Sequence, residues 1–144
     1  MRYTLHLDIS PVPAARPKLA RKGRVYYPKT YAEFRSNVKH LVPGAVMAAG
    51  IGGPLKGYLF VSVSVVAKRP KKTTLEYPKP DVDNYAKAVL DCLNGWAYLD
   101  DTQIIGLVVS KEWSAPEEDG HITIEIQDGI ETTGAHIMRE LRQQ

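Results

Sequence analysis

The chain has 144 residues, 44% of them hydrophobic, a net charge of +3 and one cysteine. That length suits one domain with a real core, and no apolar run approaches the ~18 residues that a membrane span needs. The lone Cys92 excludes an internal disulfide and any multi-cysteine zinc site, so a cytoplasmic protein without a membrane partner is expected.

Arg2 to Ile9 places Tyr3, Leu5, Leu7 and Ile9 on one side, a strand pattern and not the apolar run of a signal peptide. Pro11, Pro13 and Pro17 end it and open a basic loop. Between Pro11 and Ala32 stand Arg16, Lys18, Arg21, Lys22, Arg24 and Lys29, with no acidic residue. Tyr31 to Val42 carries Tyr31, Phe34, Val38 and Leu41 at helical spacing. Thr30 and Glu33 offer a capping box, and Pro43-Gly44 stops or interrupts the helix. Gly50 to Gly57 is a turn. Tyr58 to Ala67 is the strongest strand of the chain, with Val-Ser alternation.

A second basic loop follows, with Lys68, Arg69, Lys71, Lys72 and Lys79 opposed only by Glu76. Such loops are either solvated surface or a grip on phosphates. Asp81 to Asn94 reads as a helix closed by Asn94-Gly95. Ile104 to Val109 and His121 to Gln127 are strands, and the Pro116-to-Gly120 turn predicts an antiparallel hairpin between them. Glu131 to Gln144 is a short helix or a frayed tail. The order β-α-β-α-β-β predicts an α/β (α+β) fold, a single mixed sheet carrying two main helices.

The chemistry gathers in Lys79-Pro-Asp81-Val-Asp83-Asn84-Tyr-Ala-Lys87 and in Leu99-Asp100-Asp101-Thr-Gln103. Clustered carboxylates repel, and a divalent cation commonly compensates. Asp81 and Asp83 fall at the start of the helix, where the backbone N–H groups and the dipole favour anions even without a metal. Asp83, Lys87 and Asp91 form one polar stripe, four residues apart. Lys87 is either a plain ion-pair partner of Asp83 and Asp91 or an ammonium aimed at a phosphate. Ala86, Val89, Leu90 and Leu93 form the core face. Tyr85, Ala88 and Cys92 form a further apolar stripe, covered by a partner subunit, or by a loop or the C-terminal segment. One of Asp100 and Asp101 is expected to face the start of the helix, and sequence does not say which. The four histidines lack metal-ligand spacing.

The runs Lys79-Pro-Asp-Val-Asp-Asn84, Lys87-Ala-Val-Leu-Asp-Cys-Leu-Asn-Gly95, Asp100-Asp-Thr-Gln-Ile-Ile105 and Val109-Ser-Lys-Glu112 resemble the RusA family of Holliday junction resolvases. The Pro11-to-Pro17 loop and Tyr26-Tyr27-Pro28-Lys29 resemble that family's opening segment. The resemblance covers the chain to about Gln127, which sets a nuclease domain at 1–127 and a tail at 128–144. It implies a homodimeric Mg²⁺-dependent endonuclease, with Mn²⁺ as a substitute, that nicks four-way DNA junctions in pairs during recombination and repair. Such enzymes are often encoded by prophages. The implied catalytic residues are Asp81, Asp83, Asp101 and Lys87. Asp100 joins the three aspartates as an implied metal ligand. Arg16, Lys18, Arg21, Lys22, Arg24, Lys29, Lys68, Arg69, Lys71 and Lys72 are the DNA-binding candidates. The alternatives are a branched-DNA binding protein without cleavage and a metal-dependent phosphohydrolase of small phosphates.

Overall fold

A computed structural model describes residues 1–129 and 142. The expected C-terminal tail therefore lies largely outside the described residues. In chain order the elements are β1 (Arg2–Leu7), β2 (Lys18–Leu19), β3 (Val25–Tyr26), α1 (Lys29–Ala48), β4 (Leu59–Ala67), α2 (Val82–Leu90), β5 (Ile104–Trp113) and β6 (His121–Gln127). The fold is mixed α+β, and the described residues form one four-stranded mixed sheet, a small two-stranded ribbon and two α-helices.

The main sheet has the order β1-β6-β4-β5. Period-two alternation builds its buried face. Leu5 and Leu7 of β1 lie beside Ile124 and Ile122 of β6, which lie beside Val63 and Val65 of β4. All six are buried. Ser62, Ser64, Thr123, Glu125 and His6 take the other face and remain partly or fully exposed, so among the described residues the helices cover one side only.

The expected β5–β6 hairpin does not form. β6 passes between β1 and β4, where its three buried isoleucines find apolar neighbours on both sides. β5 instead pairs in parallel with β4 and forms the sheet edge. A parallel pair needs a crossover, and α2 supplies it. No residue of β5 is fully buried, and Ile105, Leu107 and Val108 are exposed.

α1 is longer than the apolar spacing predicts. Pro43 lies inside it and does not end it. Val38, Val42 and Val46 are buried four residues apart, so the packed stripe continues past the proline and Leu41 turns outward. Pro28 is the N-cap, and no side chain caps it; Thr30 lies inside the helix, so the expected capping box is absent. Tyr85, Ala88 and Cys92 are buried within the chain, against α1, and need no partner subunit to cover them. The first basic loop also contains the β2–β3 ribbon, which its prolines and charges conceal in sequence.

Candidate active site

α2 starts where Pro80 dictates, with Asp81 as N-cap in extended conformation (φ −67°, ψ 146°). The Asp81 carbonyl accepts the Tyr85 N–H at 3.3 Å, but its exposed carboxylate makes no capping bond. Two contacts fix this end of the helix. Lys111 on β5 donates to the Pro80 carbonyl at 2.9 Å and lies over the Tyr77 ring. The Ala14 N–H donates to the Asn84 carbonyl at 2.9 Å, which ties the first basic loop to α2.

Between α2 and the edge strand lies an open cleft of about 450 Å³. Asp83, Lys87 and Asp91 line one side; Asp101, Ile105 and Leu107 are among the residues lining the other. The polar stripe of α2 thus faces the segment that carries Asp101. Among the described residues the ion pairs are Met1–Asp128, Lys29–Glu33 and Lys68–Asp119, so Lys87 is held by neither Asp83 nor Asp91. Its ammonium is available to an anion in the cleft.

Asp91 and Asp101 interact directly. Partial burial, a hydrogen bond shared with the Asp91 carboxyl and the negative charges of Asp100 and Asp91 raise the Asp101 pKa above the usual carboxylate range. The Tyr98 hydroxyl beneath them is pushed far up, first by burial and then by the charge of Asp101. It donates to the Leu90 carbonyl at 2.6 Å and so pins the chain before Asp100 to the end of α2.

Asp100 has a different setting. It caps the short 3-10 turn Asp101–Gln103 and accepts the Thr102 hydroxyl at 2.6 Å. That hydrogen bond lowers its pKa. Gln103 closes the box by accepting the Asp100 N–H at 2.9 Å and donates to the Leu55 and Gly57 carbonyls. With Asp100 oriented outward in this way, Asp101 is the member of the pair that lines the cleft.

The structure therefore brings Asp83, Lys87 and Asp101 together and adds Asp91, which lies on the same helical stripe but is not among the implied ligands. Its four-residue spacing from Lys87 is explained equally well by an ion pair. Asp81, two residues before Asp83, is not among the residues lining the cleft, and Asp100 serves the adjacent turn. The donors are hard carboxylate oxygens, the type that Mg²⁺ and Mn²⁺ prefer. Among the described residues, no three acidic, His or Cys side chains are close enough to form a complete metal cage. Mg²⁺ is usually held by one or two carboxylates and completed by water and substrate phosphates, so a close carboxyl pair fits such an ion.

Beside this cleft, across Lys87 and Asp91, lies a second one of about 260 Å³ whose wall includes Arg16, Tyr27 and Asn84. The candidate basic residues of both loops are exposed. Lys29 is engaged with Glu33 at 3.9 Å and Lys68 with Asp119 at 3.5 Å; Arg16 borders the site directly. Among the described residues, no helix is long and apolar enough to cross a membrane.

The family model of endodeoxyribonuclease RusA matches residues 8–127, which include both basic loops, α2 and the Asp100-Asp101 pair. The chain is 32% identical over 127 residues to YqaN of Bacillus subtilis strain 168, an uncharacterized protein, with 79% of this chain and 88% of that protein covered. A match over most of the chain, with a carboxylate-and-lysine cleft inside it, makes this protein a member of the RusA endodeoxyribonucleases, nucleases that resolve Holliday junctions.

Proposed function

We propose that this chain is a Mg²⁺-dependent resolvase that cuts four-way DNA junctions by paired symmetric nicks, acting as a homodimer in recombination and repair. RusA nucleases in general depend on a divalent metal. The observation that carries the finer reading is the cleft between α2 and β5, where an unpaired lysine faces a close carboxyl pair. The Asp91–Asp101 pair would hold the ion, with Asp83 and Asp81 on the same helix joining the set only when substrate phosphates arrive. Bound there, the metal supplies a Lewis acid for the scissile phosphate and an activated water.

Lys87 would neutralise the charge that builds on the phosphate oxygens, a role that a compact ammonium suits. The cleft is open on one side, as a duplex backbone requires. Arg16, Lys18, Arg21, Lys22, Arg24, Lys71 and Lys72, with Arg69, would hold phosphates on either side, largely without reading sequence. Two nicks related by a two-fold axis call for two copies of the site. The exposed Val108 on the edge strand, outside the cleft lining, offers a second copy surface to cover.

The test uses purified protein and a synthetic four-way junction in Mg²⁺, with linear duplex, single strand and an EDTA control. Symmetric nicks in the junction alone are expected. Asp83→Asn is expected to abolish nicking and to leave junction affinity within about twofold, since no phosphate contact is lost. Nicking that survives the substitution would remove Asp83 from the ligand set. Tight binding without nicks in both Mg²⁺ and Mn²⁺ would make the protein a junction-binding module.

A further inference from the structure

The β2–β3 ribbon is built in a way that the nicking site does not explain. Leu19 and Val25 are directly paired across it, so their side chains share one face. Both face water, at 73% and 67% exposure. The turn between them is tight: the Ala20 N–H donates to the Arg24 carbonyl at 2.7 Å and the Gly23 N–H to the Ala20 carbonyl at 3.1 Å. Gly23 takes the positive φ (+74°) that this turn requires. A lone two-stranded ribbon is marginal in water, and a leucine–valine pair left this exposed adds little to it.

The charge around the pair defines what could cover it. Lys18, Arg21, Lys22 and Arg24 flank it, and no carboxylate occurs in the ribbon. The complement is a polyanion that also offers a flat apolar surface. The base of the ribbon is tied to α2 through Ala14 and Asn84, and its flanking Arg16 and Tyr27 line a cleft shared with Lys87 and Asp91. The ribbon therefore extends from the site itself, and the polyanion it meets is the DNA being cut.

We propose that Leu19 and Val25 form a wedge that packs against the base-pair faces exposed at the branch point of a four-way junction. This rests on the reading of the protein as a junction nuclease. In continuous duplex those faces are stacked and closed to an apolar side chain, whereas a branch point leaves terminal pairs open. Apolar side chains that enter between base steps are an established way for proteins to hold distorted DNA. The pair would thus supply preference for branched over linear DNA, while the four cations supply grip on both.

The test is the double variant Leu19→Ser, Val25→Ser, with Leu19→Phe as a second variant that keeps an apolar wedge. Binding is measured in EDTA on a junction carrying 2-aminopurine at the branch point and on linear duplex. Wild type and Leu19→Phe are expected to raise the 2-aminopurine fluorescence. The double variant is expected to lose that rise and about tenfold in junction affinity, with duplex affinity and salt dependence unchanged. Three results would overturn the wedge: retained fluorescence and affinity in the double variant, an equal loss on duplex and junction, or a smaller mass by light scattering, which would mean that a second copy covers the pair. Wild type that neither binds nor nicks the junction would sink the nuclease reading together with the wedge. Wild type that nicks normally beside an unaffected double variant would sink the wedge alone.

Discussion

Asp91→Asn is expected to make the metal-free protein more stable and its metal-dependent function worse. In the folded chain Asp101 shares a hydrogen bond with the Asp91 carboxyl, and its pKa is raised by burial, by that bond and by its acidic neighbours. Two carboxylate charges ~4 Å apart repel by about 1 kcal/mol in water and about 4 kcal/mol at an effective dielectric of ~20. Both residues are partly solvated, so the screened end of that range applies, and the relief is about 0.5–1 kcal/mol. For a domain of this size that is a rise of about 2–4 °C in Tm.

A carboxyl whose folded pKa lies above its unfolded value of ~3.9 stabilises the fold below that value and loses this contribution as pH rises through the folded pKa. Wild type in EDTA should therefore lose stability relative to Asp91→Asn as pH rises above about 4, and the two should converge below about pH 4. Mg²⁺ should restore wild type by binding the folded state, and the variant much less. Thermal melts of both proteins at pH 3.5, 5.5 and 7.5, with and without Mg²⁺, decide the matter. Equal melting at pH 7.5 in EDTA would refute the repulsion, as would a difference that persists unchanged at pH 3.5.

Two other substitutions separate framework from site. Asp100→Asn keeps an N-cap as good as aspartate, so Tm and junction nicking should both stay near wild type, whereas Asp101→Asn should stop nicking; loss of nicking in Asp100→Asn would return Asp100 to the ligand set. Tyr98→Phe removes the buried hydroxyl that bonds the Leu90 carbonyl at 2.6 Å. It should cost about 1–2 kcal/mol in urea denaturation and lower nicking without changing DNA affinity; an unchanged urea midpoint would show that the bond does not hold the two walls of the cleft together.

Much of this protein is legible in its residues. The Tyr58-to-Ala67 alternation is β4, the burial pattern of α2 follows its apolar face, and Pro80 places the helix start at Asp81. These features are local, since a period of two or 3.6 and a missing N–H act within a few residues. The β5–β6 hairpin failed for the opposite reason. The turn between the strands is compatible with pairing, but the greater burial available to Ile122, Ile124 and Ile126 between β1 and β4 decided where β6 lies. Pro43 failed as a stop because the packing of Val42 and Val46 continues past it.

The same division runs through the site. Its chemistry, aspartates and a lysine in a mildly basic chain, is determined by sequence, because residue type and spacing alone put Asp83, Lys87 and Asp91 on one stripe. Which aspartate meets that stripe is a question of tertiary structure. Asp100 and Asp101 are neighbours in the chain and chemically identical. Only the capping turn with Thr102 and Gln103, and the Tyr98 hydroxyl anchored on Leu90, direct one to solvent and the other into the cleft. Periodicity and charge are properties of the chain, whereas the direction of a side chain in a turn depends on what the turn is pinned against.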